Sequence, residues 1–185
     1  SEEEVQALLQ ATRALGKAVT FRAAGTSLSG QAVTDSVLAL IGEGLATCEI
    51  GSDAATVQVG PGIIGGEVNF RLAPHGRKIG PDPASINACK IGGIAANNAS
   101  GMCCGVAQNS YHTIRGATIL LADGSTIDTH GDAPDEIDEA RVVEVLRAVD
   151  NDERRPLLAV VVLPRHALLG FPHRVAVGVP ALQEL

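Results

Sequence analysis

Two segments rich in small residues constrain this chain more than any other feature. They read RAAGTSLSGQ at residues 22–31 and GPDPASINACKIGGIAANNASG at residues 80–101. Gly, Ala, Ser, Thr and Asn offer backbone N–H groups and short polar side chains without bulk, so a large anionic ligand can approach the main chain closely. We interpret the two segments as two walls of one site for a ligand that carries a diphosphate.

Composition limits the kinds of partner. The chain has 185 residues, of which 45% are hydrophobic, so it can build one substantial core or two small subdomains. Its net charge is −7 and it has no Lys/Arg cluster, which argues against nucleic acid as a partner. The longest strongly apolar run, residues 157–163, is far shorter than the roughly 20 residues of a membrane-spanning helix. With no basic leader at the acidic start, we expect a cytoplasmic protein without a transmembrane segment.

The four cysteines do not form a metal-binding pattern. Cys48, Cys89, Cys103 and Cys104 include no CxxC motif and no Cys/His pairing at zinc-ligand spacing. We therefore predict no metal site and reduced thiols. A strained disulfide between Cys103 and Cys104 is the alternative for the vicinal pair.

Periodicity predicts an α+β chain. Apolar spacing indicates amphipathic helices over 2–15 and 136–149, and a further helix over 64–73 that ends near Gly76. Strands are expected over 19–22, 37–41, 55–59 and 157–163, and ATILLADGSTIDT is a hairpin with Asp123-Gly124 as its two-residue turn. Pro81 and Pro83 make GPDP rigid and non-helical. IGGIAANNA begins a short helix whose amino end faces the same space as the first small-residue segment.

The first segment matches neither common nucleotide motif. A Walker-type loop needs G-K-[ST] after its glycines, and a dinucleotide fingerprint needs G-x-G-x-x-G, whereas residues 25–30 read GTSLSG. What remains is a nest of consecutive amides around residues 24–28, with the Thr26 and Ser27 hydroxyls as further donors. A plain Gly/Ser turn before a strand explains this stretch equally well when it is taken alone.

The order and spacing of four longer motifs resemble a known family. They are RAAGTSLSGQ, PGIIGGEVNFRLAPHGRKIGPDPASIN, IGGIAANNASG and GVAQNSYHTIRGATILLADGSTIDT. Together they resemble the FAD-binding domain of the D-lactate dehydrogenase and glycolate oxidase group, within the vanillyl-alcohol oxidase (PCMH) type of flavoproteins. The branch with a fused iron–sulfur domain is the most similar. The resemblance implies an α+β fold of two subdomains, one on a small parallel sheet and one on a larger mixed sheet, with FAD between them.

The resemblance also implies the residues that would hold FAD. In the first segment these form the pyrophosphate loop: Ala24, Gly25, Thr26, Ser27, Leu28, Gly30 and Gln31. In the second wall, residues 80–111, they lie along the flavin, the ribityl chain and the pyrophosphate: Pro81, Asp82, Pro83, Ser85, Gly92, Gly93, Ala96, Asn98, Ser100, Gly101, Asn109 and Tyr111. Relatives that bind FAD covalently through this loop have His where Thr26 stands, so non-covalent FAD is expected.

Several of these residues have simpler interpretations. Asp82 is either a turn residue between prolines or a flavin contact. Asn97 and Asn98 are interpreted as helix caps, and Asn98 could cap a helix and contact the cofactor as well. His75 is expected at a helix end, and no positioned partner is evident for His112, His166 or His173. Arg77 and Lys78 are expected to be solvated. No catalytic acid or base is assigned.

The family pattern stops near residue 131. Residues 131–185 contain no GSEGTLG or NTTGY motif and no substrate-binding cap. We therefore expect residues 1–130 to be the FAD-binding domain and residues 131–185 a divergent remainder, so that the chain is a truncated or excised piece, or its tail is diverged or misread.

The leading hypothesis is the FAD-binding portion of a D-2-hydroxyacid dehydrogenase. In it the flavin would accept a hydride from the substrate α-carbon and pass electrons to a quinone, cytochrome or iron–sulfur partner. The full-length protein would be cytoplasmic or peripheral to the inner membrane. The alternatives are a non-catalytic FAD-binding fragment and a structural α+β domain without a ligand, which would leave the two walls without a common purpose.

Overall fold

The first helix follows the sequence pattern closely. The computed structural model of the chain describes residues 1–102, 104–121, 124 and 126–128, and the backbone of 161–168. Helix α1 spans Glu2–Ala14, as predicted. Ser1 caps it, because the Ser1 hydroxyl accepts a hydrogen bond from the Glu4 N–H at 3.4 Å. Gly16, at φ 58°, ends it in the left-handed conformation.

Helix α1 packs on a strand more than a hundred residues away in the chain. Val5 and Leu9 are buried in a cluster with Leu120. Leu15 was predicted on the same face but is 72% exposed, because it follows the last helical residue as the C-cap. The Gln6 side-chain amide donates to the Thr126 hydroxyl at 3.2 Å, which also ties the helix to the later hairpin.

Two short strand pairs follow. β1 (Val19–Arg22) and β2 (Val37–Leu40) pair in parallel and form the small parallel sheet that the family resemblance implied. β3 (Cys48–Ile50) pairs antiparallel with β4 (Val57–Val59). β3 was not predicted, and β4 begins two residues later than expected. β3 escapes the sequence pattern because it is three residues long and carries Glu49 in its centre.

The main core lies between the β3–β4 pair and two helices. Helix α2 (Gly65–Leu72) is followed by a 3-10 turn and then by Gly76 at φ 65°, so the predicted helix and its end are confirmed. Helix α3 (Ile91–Ala96) is the short helix expected from IGGIAANNA. These elements and the segments between them bury one apolar cluster: Val57, Val59, Ile63, Val68, Leu72, Ile79, Cys89, Ile91 and Ile94.

A three-stranded antiparallel sheet completes the described fold. Helix α4 (Ser110–Thr113) leads into β5 (Ile114–Leu120), which pairs antiparallel with β6 (Thr126–Asp128) and with β7 (Val161–Leu168). The expected hairpin between β5 and β6 is present. In its loop the Gly124 N–H donates to the Leu121 carbonyl at 2.9 Å, and Asp123, the other residue of the expected turn, lies outside the described residues. The larger sheet is antiparallel rather than mixed in the part of the chain that the structure describes.

β7 overlaps the strand expected over 157–163. Thr118 pairs with Leu163 and Gly116 with His166, which leaves one extra residue on β7. Pro164 lies at this irregularity. Proline has no backbone N–H to donate, and the regular pattern of hydrogen bonds between the strands is already interrupted at this point. The helix predicted over 136–149 lies outside the described residues. None of the helices in the described ranges is long and apolar enough to span a membrane.

Candidate cofactor-binding cleft

An open cleft of about 240 Å³ lies between the first small-residue segment and helix α3. Its walls bring together residues far apart in the sequence. Ten of the residues expected to hold a cofactor line it: Ala24, Gly25, Thr26, Ser27, Gln31, Pro83, Ser85, Gly92, Gly93 and Ala96. The two segments therefore face one space.

The first loop presents free backbone donors. The N–H groups of Gly25, Thr26, Ser27 and Leu28 have no hydrogen-bond acceptor among the described residues. Gly25 at φ 69° and Gly30 at φ 75° bend the loop through the left-handed conformation. Successive free amides in such a loop form a concave donor surface that suits an anion.

Arg22 lies against this loop from the end of β1. A Cβ on Gly25 would come within 2.7 Å of the Arg22 Nη2 atom. Gly25 is therefore required both by its positive φ and by the close approach of the guanidinium. This contact places a cation beside the free amides.

Side chains link the loop to the far wall. The Ser27 hydroxyl bonds to Gln31 Oε1, and Gln31 Nε2 donates to Asn97 Oδ1 at 3.2 Å. Asn97 is the C-cap of α3. These three side chains, which we call the clasp, join the two walls across 66 residues of sequence.

The glycines of the second wall serve packing of the chain on itself. A Cβ on Gly92 would lie 2.8 Å from Pro61 Cβ, and one on Gly101 would collide with the backbone of Asp82, whose Cα would be 3.0 Å away. Gly93 is different, since a Cβ there would make an ordinary 3.5 Å contact with Ala23. Small residues at Gly92 and Gly101 are thus explained without a ligand.

The GPDP segment is held by hydrogen bonds to residues 100–101. The Asp82 N–H donates to the Ser100 carbonyl at 3.0 Å, and Asp82 forms an isolated parallel bridge with Gly101. The Asp82 carboxylate lies 3.5 Å from the ammonium of Lys78. Lys78, expected to be solvated, is instead part-buried and paired. Pro81 is fully buried.

The asparagines of the second wall have structural partners. Asn98 adopts φ 45°, and its side-chain oxygen accepts the Tyr111 N–H at 3.0 Å. The buried Asn109 caps α4 by accepting the His112 N–H at 3.0 Å. Tyr111 itself is half exposed. Asn98 thus joins the end of α3 to α4 and Asn109 caps α4, so the side-chain oxygen of each already accepts a backbone N–H.

The structure adds cleft residues that the sequence analysis missed. The most informative is Lys90, whose ammonium donates to the Ile41 carbonyl at 2.6 Å. Others supply an apolar floor: Phe21, Ala23, Ala32, Ile41, Pro61, Cys89, Ile94 and Ala99. Asn97 completes the lining. The sequence did offer one indication that Lys90 belongs to the cleft, namely its position directly before the IGG triplet that begins α3.

The remaining expected contacts lie outside the lining of the cleft. These are Leu28, Gly30, Pro81, Asp82, Asn98, Ser100, Gly101, Asn109 and Tyr111. Leu28 is fully exposed at the tip of the first loop. Their assignment to a cofactor stays a prediction.

No acid–base constellation lines the cleft within the described part of the chain. None of its lining residues is Asp, Glu or His. His75 ends a 3-10 turn, as expected, and His112 has a partner that the sequence did not reveal, the Val106 carbonyl 2.8 Å from its Nδ1. Among the described residues, no group of three or more His, Cys, Asp or Glu is placed to hold a metal ion, and Cys48, Cys89 and Cys104 are free thiols. The alternative disulfide involves Cys103, which lies outside the described residues.

Comparison with known proteins decides the family. The model of a family described as FAD binding domain matches residues 1–130. The chain belongs to this FAD-binding family. The loop fits such a ligand on its own chemistry, because its unpaired amides, its small residues and the nearby cations suit a diphosphate.

Curated relatives of the chain include a glycolate oxidase subunit and a D-2-hydroxyglutarate dehydrogenase. The chain is 32% identical over 135 residues to the glycolate oxidase subunit GlcD of Escherichia coli, covering 72% of this chain and 27% of that protein. It is 28% identical over 105 residues to the D-2-hydroxyglutarate dehydrogenase of Pseudomonas putida, covering 56% of this chain and 10% of that protein. The chain thus spans about a quarter or less of the length of these relatives.

Solved structures confirm the vanillyl-alcohol oxidase type of fold. A chitooligosaccharide oxidase matches with a TM-score of 0.68 and 17% identity, covering 93% of this chain and 34% of the oxidase. Glucooligosaccharide oxidase from Acremonium strictum, which carries a 6-S-cysteinyl, 8α-N1-histidyl FAD, matches with a TM-score of 0.59 and 21% identity over 69% of this chain and 27% of its own. The fold therefore occurs with covalent flavin as well.

Proposed function

We propose that this chain is the FAD-binding portion of a flavin-dependent D-2-hydroxyacid dehydrogenase that acts on a small substrate of the lactate or glycolate kind. The observation that carries the proposal is the cleft itself, which is lined by the α3 wall and by Gly25, Thr26 and Ser27, whose N–H groups have no acceptor among the described residues, in a chain of the FAD-binding family. The names of the two curated relatives support a 2-hydroxy acid as the substrate class.

The first loop would hold the diphosphate. Hydrogen bonds to a charged acceptor contribute about 1.5–3 kcal/mol each, so several amides acting together could bind a dinucleotide tightly. Residues 24–28, with Gly30 and Gln31, are assigned to this task. The oriented amides supply positive potential in a chain whose net charge is −7.

The second wall would contact the rest of the cofactor. Pro83, Ser85, Gly92, Gly93 and Ala96 already line the cleft. The flanking residues assigned with them are Pro81, Asp82, Asn98, Ser100, Gly101, Asn109 and Tyr111. Wall positions with small side chains allow the planar ring system to approach the backbone.

FAD would supply the redox chemistry when bound, by accepting a hydride from the substrate α-carbon for later transfer to a quinone, cytochrome or iron–sulfur partner. This chain would position the cofactor and exclude water from one of its faces. Substrate selection would belong to a cap domain. Thr26 stands where relatives with covalent attachment through this loop have His, so we assign non-covalent FAD.

Reconstitution tests the cofactor assignment. The 185-residue chain titrated with FAD should quench flavin fluorescence and shift the flavin absorbance bands. Acid precipitation of the complex should release all the flavin into the supernatant, since the attachment is non-covalent. A chain indifferent to FAD would refute the proposal, and flavin retained in the precipitate would refute the mode of attachment.

A second candidate, an FAD-binding fragment without turnover, is favoured by one observation. No carboxylate or imidazole lines the cleft among the described residues. Anaerobic mixing of the reconstituted chain with D-lactate, glycolate or D-2-hydroxyglutarate separates the candidates. Bleaching of the flavin absorbance band, in this chain or in the product of the complete reading frame, supports the dehydrogenase, and a stable spectrum in both supports the fragment.

A further inference from the structure

The cleft contains one cation in an otherwise uncharged lining. Among the described residues that line it, Lys90 carries the only charged side chain. No Asp or Glu of the described residues forms an ion pair with it. Positive potential at this cleft, in a chain of net charge −7, therefore comes from the Lys90 ammonium in the lining and from the Arg22 guanidinium behind Gly25.

The backbone of Lys90 is held firmly. Lys90 forms an isolated antiparallel bridge with Ile64, and its carbonyl accepts the N–H groups of Gly93 and Ile94 at 3.0 Å. Its side chain is half-buried and reaches the Ile41 carbonyl at the end of β2. An ammonium has three N–H donors, and this bond uses one of them.

The two unused donors are placed in a space that the first loop also faces. We propose that Lys90 is an ion partner of the cofactor diphosphate, acting with the free amides of residues 25–28, an inference that rests on the proposed function. The Ile41 bond holds the ammonium at the cleft wall, which lowers the entropy that a flexible lysine would lose on binding. The amides give direction to the binding, and Lys90 adds a positive charge on the α3 side of the cleft, opposite Arg22.

The first test compares three forms of the 185-residue chain: wild type, Lys90→Met and Lys17→Met, an exposed lysine outside the cleft lining as the matched control. FAD affinity is measured at low and high ionic strength. Lys90→Met loses a charge-assisted contact, so it should bind FAD about tenfold more weakly than wild type. The dependence of its FAD affinity on salt concentration should also be smaller than that of wild type. Lys17→Met should behave as wild type, and Lys90→Arg should recover part of the loss.

The outcomes distinguish a failure of this inference from a failure of the proposed FAD-binding function. Wild-type affinity and salt dependence in Lys90→Met would overturn the role of Lys90 and leave FAD binding intact. A wild-type chain that does not bind FAD would overturn both proposals.

A second measurement needs no variant and so does not depend on the folding of Lys90→Met. Acetylation of wild-type lysines is followed by mass spectrometry with and without saturating FAD or ADP, which carries the diphosphate without the flavin. Both ligands should slow acetylation of Lys90 relative to Lys17. Equal rates at Lys90 with and without FAD would overturn the inference.

Discussion

The two walls of the cleft use similar residues for different physical purposes. In the first loop, the N–H groups of residues 25–28 have no acceptor among the described residues, and Leu28 is fully exposed. In the second wall, the N–H groups of Asp82 and Gly92 donate to carbonyls at 3.0 Å, and glycines lie where a Cβ would collide with the chain.

This difference shows that richness in small residues does not by itself identify ligand contacts. At Gly92 and Gly101 the absence of a side chain lets two backbone segments touch. In the first loop Gly25 and Gly30 instead bend the chain through the left-handed conformation, and the amides of residues 25–28 have no acceptor among the described residues. We infer that the second wall acts as a rigid template and the first loop as the adaptable donor surface, and four predictions test this contrast.

The largest effect is expected at Gly101 in the second wall. Gly101→Ala places a methyl group against the Asp82 backbone, which cannot rotate away as a side chain would. The free energy of unfolding should fall by about 3 kcal/mol, as for severe overpacking. Gly44→Ala is the control, because a Cβ there meets nothing within 4 Å. Denaturant titration of both variants checks this, and a Gly101→Ala variant as stable as Gly44→Ala would break the template model.

A smaller effect on stability, but a clear effect on binding, is expected at Gly25. Gly25→Ala combines a positive φ with a clash against Arg22 and should lower stability by about 1–2 kcal/mol. FAD affinity should fall about tenfold or more, because the free amides move. Gly16→Ala has similar backbone strain at φ 58° in the helix terminus and should lose stability without losing affinity. Parallel loss of affinity in both variants would contradict the loop assignment.

The clasp should contribute modestly. Its bond from Gln31 to Asn97 is exposed, so a double-mutant cycle of Gln31→Ala and Asn97→Ala should give a coupling free energy of about 0.5–1 kcal/mol in unfolding experiments. Strictly additive effects would mean that the two walls are joined by packing alone.

The smallest effect concerns Cys48 in β3, beside the core under the second wall. Burial raises the pKa of its thiol, partly offset by the charge of Arg71. The neutral thiol is thus favoured in the folded state, so this contribution to stability is complete below the ordinary thiol pKa of about 8.5 and is lost as pH rises through the raised value. Wild type should therefore lose slightly more stability than Cys48→Ala between about pH 8 and pH 10, measured by denaturant unfolding. If the stability of wild type and of Cys48→Ala changed equally with pH, the environment of β3 would not raise the pKa of the Cys48 thiol.

The sequence predicted the elements whose signals are local. Helix α1 is flanked directly by its cap Ser1 and its glycine stop Gly16, and Gly76 ends the segment after α2 in the same manner. The family motifs predicted the cleft, since residues of both segments line it. In contrast, β3 is too short for a periodic signal, and Leu15 obeys the helical spacing yet lies exposed beyond the helix end.

Residue type alone could not separate ligand contacts from packing contacts. Asn98 and Asn109 were expected at the cofactor, and their side chains accept backbone N–H groups of α4 and its surroundings. Lys90 was not singled out, because its meaning depends on Ile41, 49 residues earlier in the chain.

The sequence by itself determined the family, the α+β character, the parallel pair of strands and the two segments that line the cleft. Only the tertiary structure decided which small residues face the cleft and which pack against their own chain. The physical reason is that a glycine, an asparagine or a lysine acquires its role from the atoms placed opposite it. For Gly92, Gly101 and Lys90 those atoms belong to Pro61, Asp82 and Ile41, which only the folded chain brings near.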